Sequence, residues 1–337
     1  MRIWKALRLH ARRHPLDTTI SVAVIAVILW VLWATGHWIV SAADWSVVIT
    51  NLPLFFSGSF PVEERWRPQL WLILLALLTL ITLMSPSSLS RVGWVKLLLP
   101  WCWISMIPLG LGLLGGGLAF SSVPTREWGG LSLTLLLTAC SGALALPLGI
   151  LLALGRTSDL PLVRLVSRLY IDLMRALPLI AVLFFGQLLI PLFLPVEIEL
   201  NRLLRAVLAF ALFAAAYVAE DVRGGLQAIP WTQHEAAAAL GLSRFQSLQL
   251  VVLPQALRIA MPSLSNQAIG LLQNTSLMAL LGLVELLGIG RSVLANPGFI
   301  GRHLEVYAWL ACVYWLFCTA MALLCRKIEL SSSPLSG

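Results

Sequence analysis

The stretch Pro230–Pro254, PWTQHEAAAALGLSRFQSLQLVVLP, decides the fold. It is a polar interval between two apolar runs, and its punctuation describes a small built element. Pro230 stops the preceding segment, and Thr232-x-x-Glu235 has the capping-box form, in which a hydroxyl and a carboxylate each satisfy orphan backbone donors. A short helix is therefore expected to begin at Glu235 or just before it. Ala236, Ala237, Ala238 and Ala239 favour that helix and leave it almost without side-chain bulk, and Gly241 is placed to end it in a left-handed conformation. Ser243-x-x-Gln246 repeats the capping pattern, and Phe245, Leu248 and Val252 fall on one face of a second short helix running towards Pro254. The expectation is two short helices joined by a glycine corner, a docking element rather than an active site. An ordinary amphipathic linker on a membrane surface would need neither the paired caps nor the narrow alanine face.

The segments around this element belong in a membrane. Hydrophobic residues make up 59% of the 337-residue chain and charged residues 11%, where soluble domains carry about 25% charge. Apolar segments of roughly the 20 residues that cross a hydrocarbon core occur near 18–40, 69–84, 97–120, 129–154, 169–194, 203–222, 259–284 and 305–325. The expected fold is an all-α integral membrane protein of about eight transmembrane helices. The second segment is short, and the third is interrupted by Pro108 and a glycine cluster (Gly110, Gly112, Gly115 to Gly117), so six or seven spans are also compatible with the pattern. The first run is too long for the core of a secretory signal, about 7–15 residues, and reads as an uncleaved anchor.

Basic residues set the orientation. With the N-terminus inside, the inner segments hold Arg2, Lys5, Arg8, Arg12, Arg13, Arg91, Lys96, Arg156, Arg164, Arg168, Arg223, Arg244, Arg258, Arg326 and Lys327. The outer ones hold only Arg65, Arg67, Arg126, Arg202, Arg205, Arg291 and Arg302. Both termini and the Glu235 loop are thus expected in the cytoplasm. The net charge of +8 reads as this bias and as attraction to anionic lipid; no basic stripe interleaved with aromatics points to nucleic acid. Trp38, Trp45, Trp66, Trp94, Trp128 and Trp231 lie near span ends, where an amphipathic ring anchors at the interface.

The polar loop and its flanking spans resemble the membrane subunits of ABC importers. The mark of that family is Glu-Ala-Ala, three residues, Gly, nine residues, then Ile-x-Leu-Pro. Glu235, Ala236, Ala237, Gly241, Leu253 and Pro254 match it, with Val251 in place of Ile. Tyr217 to Pro230 (YVAEDVRGGLQAIP), Val252 to Arg258 (VLPQALR) and Arg175 to Leu179 (RALPL) are similar to the polar amino acid branch of these permeases. The likeness runs from roughly Trp128 to Lys327. The extra N-terminal segments resemble the larger M-type subunits of general L-amino acid importers, as do Leu188 to Leu194 (LLIPLFL) and Leu151 to Arg156. The resemblance implies an N-terminal membrane extension over 1–125 with about three transmembrane helices, a five-helix permease core over 126–328 and a short cytoplasmic tail over 329–337. It implies a transmembrane permease subunit in the bacterial inner membrane, importing polar or broad-range L-amino acids. The implied partners are a separate ABC ATPase dimer docked on the 230–254 loop, a second, related permease subunit and a periplasmic amino-acid-binding protein.

The remaining chemistry agrees with a transport subunit rather than an enzyme. No phosphate-cradling Gly-x-x-x-x-Gly-Lys-Ser/Thr occurs, so no cofactor is expected in this chain, and ATP and Mg belong on the partner ATPase. No nucleophile elbow, His-Glu-x-x-His helix or carboxylate cluster suggests an intramembrane enzyme. Cys102, Cys140, Cys312, Cys318 and Cys325 read as small hydrophobes, without metal spacing. Polar residues inside spans are candidates for the translocation path or a gate. Asp172 and Arg175, three apart on one face, form either a gate with a bend at Pro178 or a local ion pair. Gln187, Gln267, Gln273, Asn274, Thr275 and Ser276 are uncharged groups at cavity depth, or packing contacts between spans. Where the family usually carries Lys-Asp-Thr-Ser, this chain has Gln273-Asn274-Thr275-Ser276 and lacks both charges. A stand-alone secondary transporter or channel for small polar solutes is the alternative. It would call for internal repeats and a charged ion site at the midplane, and it leaves the Glu235 element unexplained.

Overall fold

A computed structural model describes residues 15–85, 93–117, 120–193, 195 and 200–332. Arg2 to Arg13, Arg91 and the tail from 333 lie outside them. Regular structure among the described residues is helical: α1 Pro15–His37, α2 Ser46–Ser57, α3 Trp66–Met84, α4 Gly93–Gly115, α5 Gly130–Arg156, α6 Pro161–Ala176, α7 Leu179–Phe193, α8 Arg202–Gln227, α9 Trp231–Ala239, α10 Arg244–Ser247, α11 Leu253–Asn274, α12 Leu286–Leu294 and α13 His303–Ser332.

The chain divides into two compact units, one ending at Ile49 and the other running from Thr50. In the first, α1 is apolar on all sides and continues through a π turn, Trp38–Ala42. The Trp45 indole closes that turn by donating to the Ile39 carbonyl at 2.9 Å, its ring edge-on to Trp38.

In the second unit the core is α5 packed along α8. Ala206, Ala209, Ala211, Ala215, Ala216 and Ala219 are buried on α8, the small-residue surface that lets helices approach in a membrane, where packing rather than water drives association. At Gly149 on α5 the approach leaves no room for a side chain: a Cβ there would lie 2.4 Å from Val218 and 2.9 Å from the Ala215 carbonyl oxygen. α11 packs on α8, and α13 on α11.

The N-terminal helices of this unit are fastened to that core at both ends. At one end Arg67 is fully buried, donates to the Ser121 carbonyl and hydroxyl at 2.9 and 2.7 Å, and pairs with Glu64 at 2.8 Å. At the other, the Lys327 ammonium on α13 caps α3 by donating to the carbonyls of Thr82, Leu83 and Ser85, satisfying acceptors that a helix C-terminus leaves open.

Six helices among the described residues are long and apolar enough to cross a membrane, and a pair bent by 106°, α6 with α7, raises that to seven. Among the described residues the count is thus six or seven, the lower values that the sequence pattern also allowed. The expected 259–284 span corresponds to α11, which the amides and hydroxyls of Ser263, Ser265, Asn266, Gln267, Gln273 and Asn274 make less apolar than the others, and then the 3₁₀ turn Thr275–Leu281. The expected 169–194 span is broken. Residues to Ala176 form the strongly amphipathic α6, set at 106° to α7, and the two have a span's length and apolar character only when taken together. The third segment, by contrast, is unbroken, since α4 runs through Pro100 and Pro108 to Gly115. Gly110 there makes room for the Trp71 ring, which donates to the Met106 carbonyl at 2.9 Å. Trp128 is no surface anchor: it is buried and donates to the Val123 carbonyl at 3.0 Å.

Candidate coupling loop and charged cluster

The Pro230–Pro254 interval leaves the end of α8, makes one short helix and returns into α11. α9 begins at Trp231, not at Glu235. Pro230 occupies the cap position with φ −60° and ψ 142°, so its ring starts the helix and Thr232 falls inside the first turn, where no Thr232–Glu235 box forms. The helix ends as Gly241 requires. Gly241 has φ +78°, and the bonds Leu242 N to Ala237 O (3.1 Å) and Gly241 N to Ala238 O (2.9 Å) are the paired closures of a Schellman motif. The second capping box is present, Ser243 and Gln246 each accepting from the other's backbone.

Beyond the second box there is no separate helix. α10 passes through a π turn, Leu248–Val252, directly into α11, with Leu253 and Pro254 in the first turn of that long helix. The extra residue in the π turn rotates the face, so Val252 is buried while Phe245 is exposed. Ala237 is buried, and Glu235 and Ala236 are exposed. Trp231, Leu240, Phe245 and Leu250 are all large apolar side chains left exposed by the loop. Gln255 ties it to α11, donating to Gln233 at 3.2 Å and to the Val251 carbonyl at 2.9 Å.

A charged cluster lies beside the loop's attachment to α8, where α5 ends and α6 crosses α8. Asp172 and Arg175 do not pair with each other. Asp172 accepts from Arg156 at 3.1 Å and faces Arg168 at 3.6 Å, while Arg175 reaches Glu220 at 3.4 Å and lies over the Tyr217 ring. The centre is Glu220, which is not among the residues expected from sequence. Only 15% of its side chain is exposed, and it holds Arg156 at 2.8 Å, Arg223 at 2.9 Å and Arg175. A signal for it exists: a carboxylate inside an apolar span with an arginine three residues on needs a partner. Next to it Asp221 accepts from Ser263 of α11. The cluster thus joins α5, α6, α8 and α11 just before the bend at Pro178.

The other polar candidates are not gathered into one site. Gln187 is buried in a π turn of α7, donates to the Arg202 carbonyl at 2.9 Å, and its own carbonyl accepts from Arg205. Thr275 and Ser276 donate back to the Leu272 and Gln273 carbonyls and so close α11. Gln273 is exposed, its amide 3.7 Å from the Cys318 sulfur, and Gln267 and Asn274 are half-buried. A second group that the sequence pattern does not reveal is Glu285, fully buried before α12. Its carboxylate accepts from Leu287 N (2.8 Å), Gly288 N (2.9 Å) and the Tyr314 hydroxyl (3.1 Å). Burial pushes that carboxyl up to about 7, against the pull of the three donors.

Residues 145–330, which contain both the loop and the cluster, match the family model of the binding-protein-dependent transport system inner membrane component. The chain belongs to this family. It is 38% identical over 291 residues to the inner membrane amino-acid ABC transporter permease protein YhdY of Escherichia coli K12, covering 86% of this chain and 78% of that one. It is 30% identical to the glutamate/glutamine/aspartate/asparagine transport system permease protein BztC of Rhodobacter capsulatus, covering 91% and 88%. Among solved structures it is similar to an amino acid ABC transporter with histidines, at 27% identity and a TM-score of 0.53 over 59% of this chain and 90% of that one. The alignments with the two permeases exceed the 145–330 segment and take in N-terminal helices as well. This ABC permease is therefore a multi-pass inner membrane protein and a transport subunit rather than an enzyme, working with a separate ATPase and a binding protein.

Proposed function

We propose that this permease imports amino acids and that the Pro230–Pro254 loop is the element through which a cytoplasmic ATPase drives it. The carrying observation is the loop's construction. A nine-residue helix closed by a Schellman turn at Gly241 presents exposed Trp231 and Leu240, and α10, which presents Phe245, runs through a π turn directly into α11. A rigid element so attached passes a displacement to two spans, where a floppy loop would absorb it.

Two such permeases, this chain and a related one, would enclose the pathway, with the ATPase dimer below carrying Mg and ATP and a periplasmic amino-acid-binding protein above. Both termini are cytoplasmic in this arrangement. Glu235, which is exposed, offers a charge to the ATPase; Ala236 permits close approach, and buried Ala237 seats the helix. Asp172, Arg175 and Pro178 act as a gate at the α6–α7 bend, held through Glu220. Gln187, itself on α7, fixes that helix to the start of α8, while Gln267, Gln273 and Asn274 offer uncharged groups to the path and Thr275 and Ser276 end α11 beside it. The amino acid substrate is supported by the names of the relatives, YhdY and BztC, which describe permeases for amino acids.

Gly241→Val tests the reading. A β-branched residue is strained at φ +78°, so the corner should deform with little effect on the spans. The expected outcome is a large loss of amino acid uptake in vesicles at unchanged membrane abundance. Normal uptake by a well-inserted variant would refute coupling through this loop.

A further inference from the structure

α6 has three faces. Ser167 and Ile171 form the buried one: Ser167 fills the space left by Gly155 of α5, and Ile171 joins Ala153, Val218, Ala219 and Val222 in a small core. A second face carries Leu162, Leu165, Val166, Leu169 and Leu173, each more than half exposed, in the three-and-four spacing of one continuous stripe. Between them runs an edge of Arg164, Arg168, Asp172 and Arg175. Asp172 and Arg175 are engaged with Arg156 and Glu220. Arg168 is two-thirds exposed and faces Asp172 at 3.6 Å along the same edge, and Arg164 is exposed and pairs with no carboxylate among the described residues.

The direction of the helix says what covers the stripe. α7 runs alongside α8, fixed to it through Gln187, Arg202 and Arg205, and α6 is turned 106° from α7. α6 follows the end of α5 after only Thr157 to Leu160 and stands at about a right angle to α7, so it runs in the plane of the membrane surface where α5 ends. An in-plane helix with an apolar stripe and an arginine edge is the form that sinks its stripe to the depth of the acyl chains and keeps its cations at the headgroups. We propose that α6 is an interfacial helix whose leucine stripe rests in the bilayer and whose Arg164 and Arg168 bind the phosphate of an anionic phospholipid. That the leaflet is the cytoplasmic one rests on the proposed orientation, with both termini in the cytoplasm. Because Arg175 on the same helix reaches Glu220, lipid charge then bears on the bend that precedes α7.

The test is to place the photo-crosslinking residue benzoylphenylalanine at Leu165 or Leu169 of the full-length permease, co-expressed with its transporter partners. The assembly is reconstituted in nanodiscs of phosphatidylcholine mixed with phosphatidylglycerol, and the adducts are identified by mass spectrometry. The expected adducts are phospholipids, with phosphatidylglycerol enriched about fivefold over its bulk share if one arginine contacts it and about thirtyfold if both do. That enrichment should vanish in Arg164→Gln, Arg168→Gln while the lipid adducts persist. Adducts to the second permease would make the stripe a protein interface and overturn the proposal, as would no adduct at all. Lipid adducts without enrichment would overturn the anionic headgroup contact. Trypsin cleavage at Arg244 in inverted but not right-side-out vesicles reads the orientation separately.

Discussion

Glu220 sits among guanidinium groups from α5, α6 and its own helix, so removing its charge differs from removing any one arginine. In Glu220→Gln three cations are left facing one another, with Asp172 and Asp221 as the remaining acidic neighbours. Breaking a largely buried charge set by deleting its central partner costs about 2 kcal/mol after allowance for partial exposure. The expected result is a lower melting temperature in detergent, with Arg175→Gln alone costing less than half as much. Glu285 gives a pH signature instead. Its carboxyl lies at about 7 against an ordinary 4.5, so between these values the folded state holds a proton that the unfolded chain has lost. The stabilisation is complete below 4.5 and is lost as pH rises through 7, by roughly 3 kcal/mol in all. Glu285→Gln should flatten the fall in thermal stability between about pH 5 and about pH 8; an unchanged slope would place the titration elsewhere.

At the scale of elements, packing decides what local patterns leave open. The α5–α8 contact depends on the absence of a side chain at Gly149, where a Cβ meets both Val218 and the Ala215 backbone. Gly149→Val should therefore separate the two helices at a cost of about 3 kcal/mol, read as a loss of monodisperse protein on size exclusion. A comparable yield and melting temperature would show that the contact yields freely. The same scale explains which loop features were legible. Gly241 and the Ser243–Gln246 box are local backbone chemistry and form as the residues dictate. Thr232 does not cap, because Pro230 starts the helix earlier, and Phe245 leaves its expected face because a π turn, which no residue pattern announces, rotates the chain.

For the whole molecule, apolar content and the Pro230–Pro254 interval carried the membrane class, the helical fold and the family. The span count was less legible: hydropathy treats 169–194 as one run, whereas the amphipathic residues to Ala176 turn aside by 106°. The Asp172–Arg175 spacing suggested a pair, and tertiary partners, Arg156 and Glu220, claimed both residues. Long-range fastenings such as Lys327 on the end of α3 have no sequence signature, because they join residues some 245 positions apart. The central claim is that a permease of this architecture receives its drive through one exposed loop. The most direct test is to purify the tagged chain from its native membrane in mild detergent, beside the double variant Glu235→Lys, Gly241→Val, and identify the accompanying proteins by mass spectrometry. An ATPase and a second permease should accompany the native chain, with the ATPase depleted from the variant. An ATPase retained equally by both, or a native chain that emerges alone in several detergents, would contradict the account.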